Sequence, residues 1–367
     1  MKYIRIALIS ITLLVLNYAV FIDIPKQFSG NQHIPELQRI LLNRKIYLVV
    51  MMLMLLLTYV RYISKNPTIA AKWKPVFFSV ISSVIIFYGV ELYFTCKTKS
   101  HAIGYSYAGK LWMLKYWNPI NGNGFRDDAK PQDSGKRTIF FIGDSFTAGH
   151  GIEDVSDRYS DLFKASRIDC NVYNLGINGI GTQKELDILK SAPVKPAIVF
   201  WQYFFNDIDE LLLAYDYAFS FTPYRENNVW IRKITKGSFF FNYLYWSIPH
   251  EDASAYLRAL EKGIRNKELI KQHLSDCDAV ITYCKDNDIK LVLLSFPLFA
   301  VDDNHVFNKH TRFIADHFAS KAVDVVRVDA LTKDMRREEK MINDSDPHAS
   351  RQVNRRVADF ILSKMKI

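Results

Sequence analysis

The sequence predicts an α/β protein: a three-layer α/β/α sandwich on a parallel five-stranded sheet, preceded by an all-α transmembrane region. Three observations predict it. From Arg137 onward, short apolar strand-like runs alternate with helical ones, the pattern of a parallel sheet covered on both faces. The first hundred residues hold three long apolar runs. Nearly all of the formal charge of +10 also lies in those hundred residues, where twelve Lys and Arg face only Asp23, Glu36 and Glu91, a balance of 12 − 3 = +9.

The apolar runs are read as spans at 6–22, 46–63 and 76–95 within a transmembrane region 1–99. A bilayer crossing takes about 20 residues, and these runs are apolar on every face, with basic and aromatic residues gathered at their ends. The middle run reaches this length by including Tyr62 and Ile63, with Arg61 reaching to the interface. The first has the charged start of a secretory signal, but Asn17-Tyr18-Ala19-Val20-Phe21 lacks a small-x-small cleavage pattern, so it is expected to stay as an anchor. Counting positive charges on the two sides gives six against six. The usual dominance of the first helix then places the amino terminus in the cytoplasm and everything beyond residue 100 outside.

Residues 100–136, rich in Gly, Asn and Tyr, are expected to form a linker that packs on the following domain, which occupies 137–367. Its strands are read at 138–142, 171–175, 197–203, 290–296 and 324–328, and its helices near 156–166, 183–191, 253–287, 305–320 and 350–364. An aromatic insertion at about 209–252, containing Phe239-Phe240-Phe241-Asn242-Tyr243-Leu244-Tyr245-Trp246, breaks the alternation. It reads as a side helix completing the core, or else as a lid, an acyl-chain surface or a patch resting on a bilayer.

Beyond residue 100 the chain has 36 basic and 35 acidic residues, so it lacks the charge excess of a nucleic-acid-binding domain. Cys96, Cys170, Cys277 and Cys284 show no Cys-x-x-Cys spacing and no His at metal-site spacing; they read as free thiols, and neither a metal nor a cofactor is implied.

The chemistry gathers where strands end. Gly143-Asp144-Ser145 follows the first strand and places a serine at the carboxyl edge of the sheet, where open α/β sheets hold their ligands. A serine hydroxyl needs a base, an acid to orient that base, and donors for the oxyanion. His348, in a polar loop just before the last helix, can serve as base, and Asp346 or Asp344 can hold its other nitrogen. The glycine-rich run Asn174 to Gly181 frees backbone amides, and Asn206 offers a side-chain amide. His150 lies close to Ser145 in sequence but on the same tight turn, so it reads as a supporting residue rather than the base.

These blocks, Gly143-Asp144-Ser145, Asn174 to Gly179, Asn206-Asp207 and Asp346-x-His348, resemble in type and order those of the SGNH hydrolases, also called GDSL-type esterases. The resemblance runs from Gly124-Phe125-Arg126-Asp127, a lead-in of membrane-linked members, to the end. It implies a flavodoxin-like sandwich with Ser145 as nucleophile, His348 as base and Asp346 as its partner. The implied oxyanion hole is the Ser145 amide, the Gly179 amide and the Asn206 side chain. Three departures stand out. Ser345 occupies the usual Asp position three residues before the histidine, Phe204-Phe205 replaces a frequent Gly-Gly and narrows the site beside Asn206, and Ala349-Ser350 replaces Pro-Asn.

The resemblance implies a bacterial inner-membrane, multi-pass protein with its catalytic domain in the periplasm or outside the cell. That domain would act on acyl, above all acetyl, esters of cell-envelope glycans, with water or a sugar hydroxyl as acceptor. The partners implied are an acylated glycan or lipid substrate, the membrane and a membrane-embedded acyltransferase, and not nucleic acid. Two alternatives stand beside it: a lipid esterase, and an inactive glycan-binding or scaffold protein of the same fold.

Overall fold

The computed structural model describes residues 67–102, 106–128, 133, 135–217, 229–248 and 251–364. In chain order its strands are β1 (Arg137–Ile142), β2 (Cys170–Asn174), β3 (Ile198–Tyr203), β4 (Lys290–Ser295), β5 (Asp324–Arg327), β6 (Met341–Asn343) and β7 (Asp346–Ala349). The helices are α1 (Pro67–Cys96), α2 (Tyr107–Tyr116), α3 (Ser145–Ala148), α4 (Tyr159–Ser166), α5 (Thr182–Ser191), α6 (Asp209–Ala214) and α7 (Val229–Gly237). They continue as α8 (Phe239–Trp246), α9 (Glu251–Arg265), α10 (Lys267–Asp286), α11 (Val306–Ser320), α12 (Val328–Leu331), α13 (Arg337–Lys340) and α14 (Arg351–Lys364). Two compact units result.

The larger unit comprises the described parts of 100–104, 116–225 and 249–367 and holds a five-stranded sheet of order β2-β1-β3-β4-β5, with every pairing parallel. Alternation along the strands explains the layers. Ile139, Phe141 and Phe200 join one core with Tyr159 and Phe163 of α4 and Val353, Val357 and Ile361 of α14. Phe140, Ile142, Val199 and Trp201 point the other way, into a second core with Leu186 and Leu189 of α5 and with Cys277 and Val280 of α10. Every residue of β3 is buried, as a central strand covered on both faces requires. The order 2-1-3 makes the chain reverse direction across the sheet at β1, which opens a crevice between the carboxyl ends of β1 and β3.

The strands lie where the sequence puts them, to within a residue or two, but two elements differ. The helix expected over 253–287 is two helices, because the Asn266 side chain accepts the N–H groups of Glu268 and Leu269 and so starts α10 afresh. The segment before the last helix, expected as a polar loop, is the antiparallel hairpin β6–β7. Cys96, Cys170, Cys277 and Cys284 are unpaired thiols.

The smaller unit comprises the described parts of 1–99, 105–115 and 226–248. Much of the aromatic insertion belongs here, as α7 and α8, rather than completing the core of the sheet. Glu91 of α1, 3% exposed, accepts the Ser238 hydroxyl (2.7 Å) and the Phe239 N–H (2.6 Å), placing a carboxylate at the amino end of α8. Phe94 packs on Phe240 and Tyr243 at 5.2 and 4.8 Å. Of the expected spans, 6–22 and 46–63 lie outside the described residues, and 76–95 falls within α1. Among the described residues no helix is long and apolar enough to cross a membrane.

Candidate active site

Ser145 opens α3, one turn of helix three residues beyond β1. Asp144 caps that turn, accepting the Phe146 N–H at 2.9 Å, and is buried deeply enough that its carboxyl is raised above the ordinary range. Gly149 ends it in the left-handed conformation at φ 75°, and the His150 N–H returns to the Ser145 carbonyl at 2.8 Å. As the first helical residue, Ser145 has an N–H with no intrahelical acceptor.

Neighbouring elements fix this turn. Gln202 of β3 accepts the Asp144 N–H and the Thr147 hydroxyl, each at 3.0 Å. Asn174, at the end of β2, donates to the Thr147 carbonyl at 2.7 Å and accepts the Gly176 N–H at 3.0 Å. Gly176 passes so close that a Cβ there would lie 2.3 Å from the Ala148 nitrogen. Arg126 of the lead-in, 1% exposed, donates to the carbonyls of Gly149 (2.6 Å) and Ile152 (2.7 Å) and lies 4.8 Å from the centre of the Trp117 ring. Burial, and then the nearby Arg158 cation, bring its pKa down to about 9.

His348 and Asp346 share one face of β7, because residues two apart on a strand point the same way. Asp346 Oδ1 lies 2.5 Å from His348 Nδ1, and His348 Nε2 lies 2.7 Å from Ser145 Oγ. A carboxylate only accepts, so Nδ1 carries the proton and the bare Nε2 accepts the serine hydroxyl. Asp344, the alternative partner, is exposed on the hairpin turn. Burial alone would raise the Asp346 carboxyl; His348, His150 and the Ser100 hydroxyl outweigh it and hold Asp346 well below the usual range. Burial would lower His348, but the Asp346 charge dominates and raises it above 6.5.

The sheet order and the Ser145, His348 and Asp346 geometry fit the SGNH hydrolase fold. No family model and no curated protein matches the sequence. Solved structures similar to it include a protein of the lipolytic G-D-S-L family from Desulfitobacterium hafniense, 11% identical over 61% of this chain and 97% of that one, with a TM-score of 0.39. A G-D-S-L family member from Veillonella parvula is 13% identical over 62% and 98%, with a TM-score of 0.36. The acetylxylan esterase Axe2 from Geobacillus stearothermophilus is 13% identical over 64% and 96%, with a TM-score of 0.39.

The other expected residues of the SGNH-type site flank Ser145. Asn206 lies in the short helix Phe205–Ile208 after β3, across the crevice, and Gly179 lies in the loop after β2, on the other side of β1. In that loop the Gly176 N–H goes to Asn174 and that of Ile177 to the Gly143 carbonyl, whereas Gly179 is exposed at φ 71°. Among the described residues, His150, Asp346 and His348 are the group of His, Cys, Asp and Glu donors close enough to hold a metal ion. Asp346 and His348 already bond each other and Ser145, so a metal there would displace that set of bonds.

Sequence reasoning misses Ser100, whose hydroxyl donates to Asp346, and Asn178, which bonds His150. Ser100 carries no local signal, since only folding brings together two residues 246 positions apart. Asn178 sits inside a recognised block, and its neighbour Gly179 draws attention to it.

Proposed function

We propose that the protein is a serine ester hydrolase or O-acyltransferase that acts through an acyl-enzyme on Ser145. The observation that carries this is the continuous set of bonds Ser145 Oγ, His348 and Asp346, at 2.7 and 2.5 Å. His348 takes the serine proton as Oγ attacks the acyl carbonyl, then returns it to the leaving oxygen; Asp346 holds the tautomer and the imidazolium. The amides of Ser145 and Gly179 and the side chain of Asn206 receive the oxyanion. Asn206→Ala is expected to lower kcat roughly 100- to 1,000-fold with little change in KM. A loss under about threefold would remove Asn206 from that role.

We take the acyl group to be short, above all acetyl, and the substrate to be a cell-envelope glycan. Aromatic rings support the first choice: Phe146 lies 5.0 Å from His348, 4.4 Å from Phe204 and 5.1 Å from Phe296, so protein fills the space beside the base. The Gly124-Phe125-Arg126-Asp127 lead-in and the basic, apolar amino-terminal region support a membrane-held enzyme outside the cytoplasm. Exposed Trp230 and Ile231 on α7 suit a bilayer surface. An ester panel from acetyl to long chain, with and without glycan acceptors, tests both choices. Acetyl esters are expected to turn over at least tenfold faster than decanoyl esters; the reverse order would point to a lipid substrate. Fluorophosphonate labelling that is absent from the wild type, or that persists in Ser145→Ala, would overturn the enzyme reading itself.

A further inference from the structure

We propose that His150, as a neutral imidazole, is a positioning residue that holds the Asn178–Gly179 loop and the His348 ring in reactive geometry. This rests on the esterase reading above. The ring is buried between three parts of the site. Its Nε2 lies 3.1 Å from the His101 carbonyl, its Nδ1 3.1 Å from Asn178 Nδ2, and its centre 4.7 Å from that of His348 at 36°. A carbonyl only accepts and Asn178 Nδ2 only donates, so one form satisfies both contacts: Nε2 protonated and Nδ1 bare.

The consequences concern two groups. Asn178 immediately precedes Gly179, so the bond to Nδ1 holds the loop whose amide the proposed mechanism assigns to the oxyanion. Nε2 also lies 3.8 Å from Asp346 Oδ2, on the side of that carboxylate away from His348. A charged His150 would compete for the Asp346 charge and repel the imidazolium that His348 becomes during the reaction. The surroundings oppose that charge. Burial above all, with the nearby His348 and Arg126, brings the His150 pKa down to about 4 against the opposing pull of Asp346. The return of the His150 backbone N–H to the Ser145 carbonyl anchors the residue that carries the ring to the nucleophile turn itself.

The test compares wild type, His150→Phe, His150→Asn, Asn178→Ala and the His150→Phe/Asn178→Ala double variant on p-nitrophenyl acetate from pH 5 to 9. His150→Phe is expected to lower kcat about 10- to 100-fold, the scale of a small misplacement of reacting groups, with KM within about threefold. His150→Asn, which keeps an acceptor for Asn178, should recover most of the loss, and the double variant should be no slower than the slower single one. The proposal is overturned by a His150→Phe kcat within threefold of wild type, by no rescue in His150→Asn, or by multiplying losses. Should His150→Phe fail to fold, a slowed Asn178→Ala beside a near-normal His150→Asn supports the proposal in its place, and the opposite pattern overturns it. Imidazole nitrogen NMR of the wild-type protein should show His150 as the neutral Nε2–H tautomer from pH 6 to 8; a charged or Nδ1–H ring overturns the proposal. That spectrum needs no turnover, so an inactive wild type would sink the esterase reading while leaving His150 to be judged separately.

Discussion

Ser145→Ala is expected to lower kcat by about 10⁶-fold, the scale for removing the nucleophile of such a triad, and to abolish fluorophosphonate labelling. Its Oγ is the atom bonded to His348 Nε2, and removing it leaves an imidazole with no hydroxyl to deprotonate. The residual rate over water would come from substrate binding and the oxyanion donors, which the variant keeps. The fold should survive, because α3 is capped by Asp144 and closed by Gly149 without the Ser145 side chain. Steady-state kinetics on an acetyl ester, with circular dichroism as a control, checks this. A variant retaining more than about one part in a thousand of the wild-type rate would place the nucleophile elsewhere.

Asp346→Asn is expected to cost about 10⁴-fold in kcat with the geometry nearly intact. An asparagine can present its NH₂ to Nδ1, which favours the tautomer with the proton on Nε2, and that nitrogen then cannot accept from Ser145. The pH profile adds a sign. Asp346 raises the His348 pKa, and the base works only when neutral, so wild-type activity falls as pH drops through a value above 6.5. Without that charge the acid limb should move to lower pH in the residual activity. Stability moves on the acid side too: Asp346 is depressed in the folded state, so its contribution is present above the unfolded carboxylate pKa and lost as pH falls toward the folded value. The variant should lack that acid-side loss. Asp344→Asn, on the exposed turn, should stay within about twofold of wild type; equal losses in both would undo the assignment of Asp346.

Much of the architecture is legible in the sequence because its signals are local. The strand at 138–142 is an apolar run ending in glycine, and a run of that kind has few alternatives to a central strand. The break at Asn266 is less legible, since helical periodicity continues through it and the cap depends on where one side chain turns. The hairpin holding His348 escapes sequence reading because its strands, Met341–Asn343 and Asp346–Ala349, are too short and polar to show a period of two. Sequence order assigns the aromatic insertion to the sheet domain. Its place in the smaller unit depends on Glu91, 148 positions from the Phe239 amide it accepts.

The sequence by itself determined the parallel α/β layout, the residue types of the site and their positions at strand ends, because periodicity and turn chemistry act over a few residues. Tertiary structure alone decided which aspartate serves His348, that His150 lies against that ring, and that Ser100 and Arg126 support the site. Each of these depends on distances between segments far apart in the chain. A hydrogen bond forms or fails within about an ångström, and composition and spacing do not resolve that distance.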